Sequence, residues 1–360
     1  MNIGIVTQPL SRNYGGILQN YALQQTLIKL GHTPYTFDLR TSLTWGKWFK
    51  YNTIALIKRL LCLNSKRIPS PYKLEVLELP LRKFVKNNIK LTSPRQRHLI
   101  PQAIYKYKIE AIIVGSDQVW RPKYNSNIED MYLNFAKNID IKKMSYAASF
   151  GTDEWEYTPK MTQTCKDLAQ KFNAISVREE SGVDLCKKYL DVNAVHLIDP
   201  TMLLTADEYK ELVSHIPQSK TKYLFAYILD QTEEKIKYVK KIAKGLGLEL
   251  IIKGSDSQVS ADDSIEKWIV NFRDANYIIT DSFHGTVFSI IFNKPFIAVG
   301  NEARGMSRFN SLLSKFGLED RLIDISKEHK FPTSNINWTA INSNVEASST
   351  TAISFLINNL

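Results

Sequence analysis

The sequence predicts an α/β protein with parallel sheets, arranged as two successive halves with a cleft between them. Short runs of β-branched and aliphatic residues alternate with segments whose apolar residues have helical spacing. Polar residues follow many of these runs at the point where the strand ends, which is where open α/β sheets bind ligands. A length of 360 residues with 44% hydrophobic residues suits two globular domains.

The first half opens with a strand–helix–strand pattern. The apolar run at 2–7 predicts a strand, 17–30 has the apolar spacing of a helix, and 33–39 predicts a second strand. A polar, glycine-rich loop at 8–16 joins the first strand to the helix. The loop differs from a GxGxxG fingerprint and lacks a P-loop lysine, so it gives nucleotide binding little support. The alternative interpretation is a tight turn that binds no ligand.

The same alternation continues along the chain. We predict strands at 111–114, 142–150, 174–177, 194–198, 222–229, 249–253, 277–280, 296–299 and 323–325, and helices at 75–90, 159–172, 181–189, 233–245, 264–271, 286–292, 309–316 and 345–360. The N-terminal domain is predicted to span 1–200 and the C-terminal domain 201–340, with the boundary near 200–217. We expect the terminal helix at 341–360 to cross back onto the N-terminal domain.

An insertion at about 39–100 has an unusual composition. Residues 39–74 include no acidic residue but eight basic ones, interleaved with aromatic and aliphatic side chains such as Trp45, Trp48 and Phe49. Such a segment is typical of helices that lie on an anionic membrane surface. The alternative is a helical insertion that packs on the domain and exposes a solvated basic face.

Composition and motifs argue against several classes of function. The net charge of +11 indicates an anionic partner, but no helix-turn-helix, zinc-finger or RNA-recognition signature supports nucleic acid. Three scattered cysteines, together with an N-terminus that lacks a signal peptide, predict a cytoplasmic protein. We find no HExxH, no His/Cys cluster and no GxSxG, so we expect neither a metal nor a cofactor.

Polar side chains at strand ends are the candidate site residues. From the first half we select Asn13, Gly15, Gly16, Gln19, Asn20, Ser116, Asp117 and Arg178, and from the second half Ser282, His284, Gly285, Arg304 and Arg308. Arginines and helix N-termini favour an anionic, phosphorylated donor, and a histidine can transfer protons at neutral pH. The alternatives are a helix-capping role for Asp117, a salt bridge for Arg178 and a purely structural His284. Residues 199–201, Asp-Pro-Thr, indicate a turn or cap.

Six segments together resemble the polysaccharide pyruvyl transferases. They are IGIVTQPLSRNYGGILQNYALQQTLIKLGH at 3–32, IIVGSDQVW at 112–120, SYAASFGT at 145–152, ISVREESG at 175–182, LIDPTMLL at 197–204 and IITDSFHGTVFSIIFNKPFIAV at 278–299. The insertion at 39–100 and the tail after about 330 lie outside the resemblance. It implies two Rossmann-like domains with a central cleft, as in the GT-B glycosyltransferases.

The resemblance also implies a reaction. The pyruvyl group of phosphoenolpyruvate would be transferred to two hydroxyls of a hexose, such as galactose in a lipid-linked polysaccharide precursor, to form a pyruvate ketal and release phosphate. His284 matches the catalytic histidine of the family, and Arg178 matches an arginine that binds the donor. Many members carry arginine where this chain has Ser282, so Arg304 and Arg308 are candidates for the second donor clamp. Asp117 is a candidate base for the acceptor hydroxyl.

Two other functions fit the same pattern. One is a GT-B-like glycosyltransferase with a nucleotide-sugar donor. The other is a non-catalytic protein that binds the inner face of the cytoplasmic membrane through 39–74.

Overall fold

The computed structural model describes residues 1–39, 45–60, 70–93, 100–254, 263–300, 305–325 and 335–360 of the chain. It confirms the predicted fold class, because these residues form parallel sheets flanked by helices. Among them, no helix combines the length and the apolarity that a bilayer crossing requires.

The first sheet is entirely parallel and has the strand order β2-β1-β3-β4. Its strands are β1 (Asn2–Val6), β2 (Thr33–Thr36), β3 (Ala111–Val114) and β4 (Lys142–Ser145). Two short parallel strands, β5 (Ser176–Val177) and β6 (Val195–His196), continue this half. Single parallel bridges, Met144 to Ala174 and Ala148 to Val177, connect them to the chain at β4.

The second sheet is also parallel, with the order β11-β10-β9-β7-β8. Its strands are β7 (Tyr223–Tyr227), β8 (Glu249–Lys253), β9 (Tyr277–Thr280), β10 (Phe296–Val299) and β11 (Leu322–Ile323). Since all strands of a parallel sheet end at the same edge, the polar residues that follow β7, β8 and β9 lie along one side.

Helices connect the strands, and the second and third of them belong to the insertion at 39–100. They are α1 (Tyr14–Lys29), α2 (Trp45–Leu60), α3 (Pro71–Asn88), α4 (Ile100–Lys106), α5 (Pro159–Ala169), α6 (Glu180–Leu185), α7 (Ala206–Leu212), α8 (Glu233–Leu246), α9 (Ile265–Asp274), α10 (Phe283–Ile291), α11 (Ser307–Lys315) and α12 (Trp338–Asn359). A π-helical turn (Cys186–Leu190) follows α6, and short 3₁₀ helices occur at Ile128–Tyr132, Asn134–Ala136, Pro200–Leu203 and Glu319–Arg321.

Capping side chains make two helices begin three residues earlier than predicted. Asn13 accepts a hydrogen bond from the N–H of Gly16 and starts α1 at Tyr14. Ser282 accepts one from the N–H of Gly285 and starts α10 at Phe283. His284 therefore lies in the first turn of a helix, not in the turn before it.

The strand predicted at 142–150 is shorter in the structure. β4 ends at Ser145 because Ala147 has a φ of +48°, a left-handed conformation that cannot continue a strand.

The two sheets share part of their hydrophobic core. One cluster of buried side chains includes Leu18 of α1, Phe225 of β7, Phe288 of α10 and Leu356 of α12. The 3₁₀ helix Pro200–Leu203 and α7 occupy the predicted boundary region, between the strands of the first half and those of the second sheet. At the end of α12, the carbonyl of Leu360 accepts a hydrogen bond from Lys142 of the first sheet. The exact domain limits remain a prediction.

We expect Phe288→Ala to destabilise the fold strongly. Phe288 is fully buried, and its ring lies 4.7 Å from that of Trp268 and 4.9 Å from that of Tyr209. The loss of so large a core side chain should lower the free energy of unfolding, measured by urea denaturation, by about 3–5 kcal/mol. The matched control is Ile357→Ala in α12, where the side chain is 57% exposed; it should change that free energy by less than about 0.5 kcal/mol. Equal effects of the two substitutions would contradict this assignment of the core.

Candidate functional site

A cleft with a volume of about 390 Å³ lies between residues of the two sheets. Its lining comes from the segments that follow β1 and β3 in the first sheet and β7, β8 and β9 in the second. These are the carboxyl ends of parallel strands, as the sequence predicts for a ligand site.

His284 projects from the first turn of α10 and is 6% exposed. Its Nε2 lies 3.5 Å from Oδ2 of Asp199. The other side of the ring lies against Gly15 in the first turn of α1, so closely that a Cβ on Gly15 would come within 2.0 Å of Nδ1 of His284. The imidazole is thus held between a carboxylate and the N-terminus of a helix from the first half.

Asp199 connects the polar groups of the two halves. Its Oδ2 accepts hydrogen bonds from Nη1 of Arg178 at 2.8 Å and from Oγ of Ser116 at 3.2 Å. Its Oδ1 accepts two more from Thr201, from the backbone N–H at 3.0 Å and from Oγ1 at 2.7 Å. Burial alone would raise the pKa of Asp199, but the charge and hydrogen bond of His284, together with Arg178 and the Thr201 N–H, lower it well below its usual value. Asp199 is therefore an ionised carboxylate.

Sequence analysis missed Asp199 because Asp-Pro-Thr is also an ordinary turn signal. The structure shows that the residue does cap a 3₁₀ helix, through Thr201, while its second oxygen turns toward Arg178 and His284. Its position at the end of a strand and within LIDPTMLL was the available signal.

Arg178 is almost completely enclosed, with 1% of its side chain exposed. Besides Asp199, its guanidinium lies 3.4 Å from Glu179 and 3.7 Å from Oδ1 of Asp117, and it stacks over the ring of Phe283 at 4.3 Å. Burial alone would lower the pKa of Arg178. The charges of Asp199, Glu179 and Asp117 raise it by more, so the pKa of Arg178 lies above its usual value. The salt bridge considered as an alternative is therefore present.

Asp117 follows β3 in a left-handed conformation, with a φ of +71°. Its Oδ2 accepts a hydrogen bond from Asn13 at 2.7 Å, and its Oδ1 accepts one from the N–H of Gln118 at 2.9 Å. Burial would raise the pKa of Asp117, but Arg178, His284, Arg308 and the Gln118 N–H lower it overall. A carboxylate with a lowered pKa has little affinity for protons.

Arg308, in the first turn of α11, adds a second buried cation to the cleft. Its guanidinium lies 5.7 Å from the centre of the Phe283 ring. Burial and then the charge of Arg178 lower the pKa of Arg308 to about 10, so it stays protonated at neutral pH. Two neighbouring arginines in an enclosed site favour an anionic ligand.

The other predicted residues have mixed positions. Asn13, Gly15 and Ser282 line the cleft, and Ser116 lies beneath it against Asp199. Gly285 lets α10 approach β9, since a Cβ there would come within 2.2 Å of Oγ1 of Thr280. Gly16 lies against its capping residue, because a Cβ would be 2.9 Å from Nδ2 of Asn13.

Two of the predicted residues lie in the core, away from the cleft. Gln19 and Asn20 are fully buried in the core: Gln19 donates to Oγ1 of Thr7 and to the carbonyl of Gly16, and Asn20 accepts from Oγ1 of Thr36. Polar residues that follow a glycine-rich loop do not show from sequence alone which face of the helix points to the ligand. Arg304 lies outside the described residues.

Aromatic residues that we did not predict also line the cleft: Tyr14, Tyr124 and Tyr227. Tyr14 stacks on Trp268, with ring centres 5.8 Å apart. Asp281 holds the loop that follows β7 and the start of α8. It accepts hydrogen bonds from the N–H of Leu229 at 2.6 Å and from Nζ of Lys235 at 2.7 Å. Over the part of the chain that the structure describes, no cluster of His, Cys, Asp or Glu is placed to hold a metal ion.

We expect Gly15→Ala to disrupt the site, because the new methyl group would overlap the His284 ring. A displacement of about 1 Å in a reacting group can reduce turnover about 100-fold. The matched control is Gly245→Ala in α8, where a Cβ meets nothing within 4 Å; it should keep full activity and gain up to about 1 kcal/mol of stability. Turnover and thermal unfolding of both variants check this, and normal turnover in Gly15→Ala would show that the His284 position is unimportant.

We expect Asp199→Asn to destabilise the protein at pH 7 by about 1.5–3 kcal/mol, because the charge-assisted hydrogen bond from Arg178 is lost while Glu179 and Asp117 stay beside the guanidinium. The pKa of Asp199 is lowered in the folded state, so its charge stabilises the fold above the unfolded value of about 3.9. That contribution is lost as the pH falls below about 3.9 toward the pKa of Asp199 in the folded state. The difference in the free energy of unfolding between wild type and variant should therefore become smaller below about pH 4. Urea unfolding at several pH values tests this, with Asp207→Asn, an 88% exposed side chain, as the control. A difference in the free energy of unfolding that stays constant with pH would contradict a lowered pKa of Asp199 in the folded state.

Comparison with known proteins agrees with the resemblance. A family model described as polysaccharide pyruvyl transferase matches residues 13–303. Among curated proteins, no sequence matches this chain.

Solved structures show the fold. UDP-GlcNAc 2-epimerase from Neisseria meningitidis, bound to UDP-GlcNAc, aligns over 100% of this chain and 99% of its own, with a TM-score of 0.50 and 8% identity. MnaA from S. aureus, in complex with UDP, aligns over 98% of this chain and 88% of its own, with a TM-score of 0.50 and 12% identity. At such low identity the likeness shows the fold alone, the GT-B arrangement of two Rossmann-like domains. Since the family model covers most of the chain, this protein belongs to the polysaccharide pyruvyl transferase family, a family of transferases in polysaccharide biosynthesis.

Proposed function

We propose that the protein transfers the pyruvyl group of phosphoenolpyruvate to two hydroxyls of a hexose, with release of phosphate. The observation that carries this proposal is the position of His284, held between Asp199 and Gly15 in a cleft that Arg308 also lines, with Arg178 bound to the same Asp199 carboxylate beneath. It combines a proton donor with an anion site, and this donor requires both.

Donor binding follows from charge. Phosphoenolpyruvate is a trianion, Arg12 and Arg308 line the cleft beside His284, and Arg178 lies beneath it on Asp199. The first turns of α1 and α10 also meet at the cleft, and helix N-termini favour phosphate and carboxylate groups. Ser282 lies in this lining while it caps α10.

The reaction balances without a further cofactor. Protonated His284 gives its proton to C3 of the donor, which leaves an oxocarbenium-like centre at C2. One sugar hydroxyl adds to C2 and its proton returns to His284. The bond from C2 to the phosphate oxygen then breaks, and the second hydroxyl closes the ketal. The departing phosphate takes the second proton.

The acidic residues of the site have supporting roles in this scheme. Asp199 lies 3.5 Å from Nε2 of His284 and holds Arg178, and we treat it as a positioning residue. Asp117, with its lowered pKa, is better suited to hold Asn13 and Arg178 than to act as the base for the acceptor hydroxyl.

Membership of the family implies a saccharide acceptor. We propose that this acceptor is a hexose, such as galactose, in a lipid-linked precursor. Tyr14, Tyr124 and Tyr227 line the cleft, and Tyr124, which is 43% exposed, presents aromatic surface to a sugar. Since the comparison structures are complexes with UDP-GlcNAc and UDP, a nucleotide-sugar donor is the competing function to test.

We expect phosphate release from phosphoenolpyruvate that depends on a galactose-type acceptor, and no turnover of UDP-sugars. His284→Ala should lower the rate about 10²–10⁴-fold if the histidine is the general acid. The control is His215→Ala, because His215 is exposed and away from the cleft; it should keep the full rate. Circular dichroism would show that both variants are folded.

Two outcomes would reject the proposal. Turnover of UDP-sugars without phosphate release from phosphoenolpyruvate would favour the glycosyltransferase. A near-normal rate in folded His284→Ala would remove the histidine from the mechanism.

A further inference from the structure

Helix α2 exposes an unusual set of large apolar side chains. Trp45, Phe49, Tyr51, Ile54, Leu56 and Ile57 each have 41–60% of their surface accessible. Single exposed apolar residues are normal, but six of them in one 16-residue helix mark an interaction surface.

The direction of these side chains follows from helical spacing. Ala55 is buried, and Trp48 and Asn52 are half-buried, so this i, i+4, i+7 set faces the body of the protein. Trp45, Phe49 and Leu56, at i, i+4 and i+11, lie within about 40° of one another on an adjoining, exposed stripe.

The aromatic rings of α2 form one cluster in its first turns. The ring centres of Trp48 and Phe49 are 4.8 Å apart, and those of Trp45 and Trp48 are 5.5 Å apart. The exposed rings of Trp45 and Phe49 both pack against Trp48, and together they form a continuous apolar surface.

Charge identifies the partner. Residues 39–74 contribute eight positive charges and no negative charge to a chain with a net charge of +11. On α2, Lys50, Lys58 and Arg59 are exposed, and Lys50 lies next to Ile57 on the helix surface because the two are seven residues apart. Protein interfaces are depleted in lysine, whereas anionic headgroups attract each basic residue by about 1 kcal/mol. Tryptophan is also enriched at the boundary between headgroups and acyl chains.

We propose that α2 docks the protein on an anionic lipid surface. The helix would lie in the plane of the interface, with Trp45, Phe49, Leu56 and Ile57 inserted between headgroups and with Lys50, at the edge of this face, extended toward the phosphates. With 16 residues it is shorter than the roughly 20 residues that span a bilayer. This proposal is independent of the reaction proposed above, but it would bring the cleft to an acceptor that is anchored in lipid.

The test is cosedimentation of the full-length protein with vesicles. We expect binding to equimolar phosphatidylglycerol and phosphatidylcholine, weaker binding in high salt, and little binding to phosphatidylcholine alone. The combined Trp45→Ser, Phe49→Ser and Leu56→Ser variant should bind the anionic vesicles at least about tenfold more weakly, because three apolar side chains are lost.

The matched control combines Tyr105→Ser and Ile357→Ser, which change side chains that are 71% and 57% exposed on other helices. It should bind the vesicles like wild type. Phosphate release with a soluble acceptor should be unchanged in both variants, since none of these residues lines the cleft.

The proposal is overturned if wild type does not bind anionic vesicles or if the α2 variant binds them as well as wild type does. It is also overturned if the wild-type protein is an oligomer in solution that the α2 substitutions convert to a monomer without a change in vesicle binding, because a second copy would then cover α2.

Discussion

The cleft depends on one buried carboxylate. Asp199 accepts a 2.8 Å hydrogen bond from Arg178, and its same oxygen lies 3.5 Å from Nε2 of His284. An ionised carboxylate that is removed from water is costly unless cations and N–H groups surround it, and here Arg178, His284 and the Thr201 N–H do so. Because Arg178 belongs to the first half and His284 to the second, the same charge that stabilises the site also joins the two halves of the fold.

The remaining electrostatics of the cleft suit a ligand of high negative charge. Asp117, Glu179 and Asp199 surround Arg178, so much of its charge is already balanced within the protein. Burial and the neighbouring Arg178 lower the pKa of Arg308, and Asp117 and Glu179 raise it by less. A bound phosphate or carboxylate would offset the repulsion between the two arginines. An anionic ligand of the cleft would meet Arg308 in the lining, while Arg178 is held in place by its carboxylate partners.

Much of the fold and part of the site could be predicted from the sequence. The strands are short apolar runs with polar ends, so His284, Arg178 and Asp117 could be selected from local pattern alone. Asp199 could not, because a turn-forming Asp-Pro-Thr looks the same whether its second oxygen meets solvent or Arg178. Gln19 and Asn20 were misplaced because capping by Asn13 sets where α1 starts and hence which helix face meets the cleft. These features depend on tertiary contacts between distant segments.

The serine at position 282 has a physical explanation in this arrangement. Ser282 caps α10 through the N–H of Gly285, an interaction worth about 1 kcal/mol. An arginine side chain could not make that cap. Arg308 of α11 places a guanidinium 5.7 Å from the ring of Phe283, the residue next to Ser282. The start of α10 thus keeps a short residue that holds the His284 turn in place, and the next helix contributes a buried guanidinium to the cleft lining.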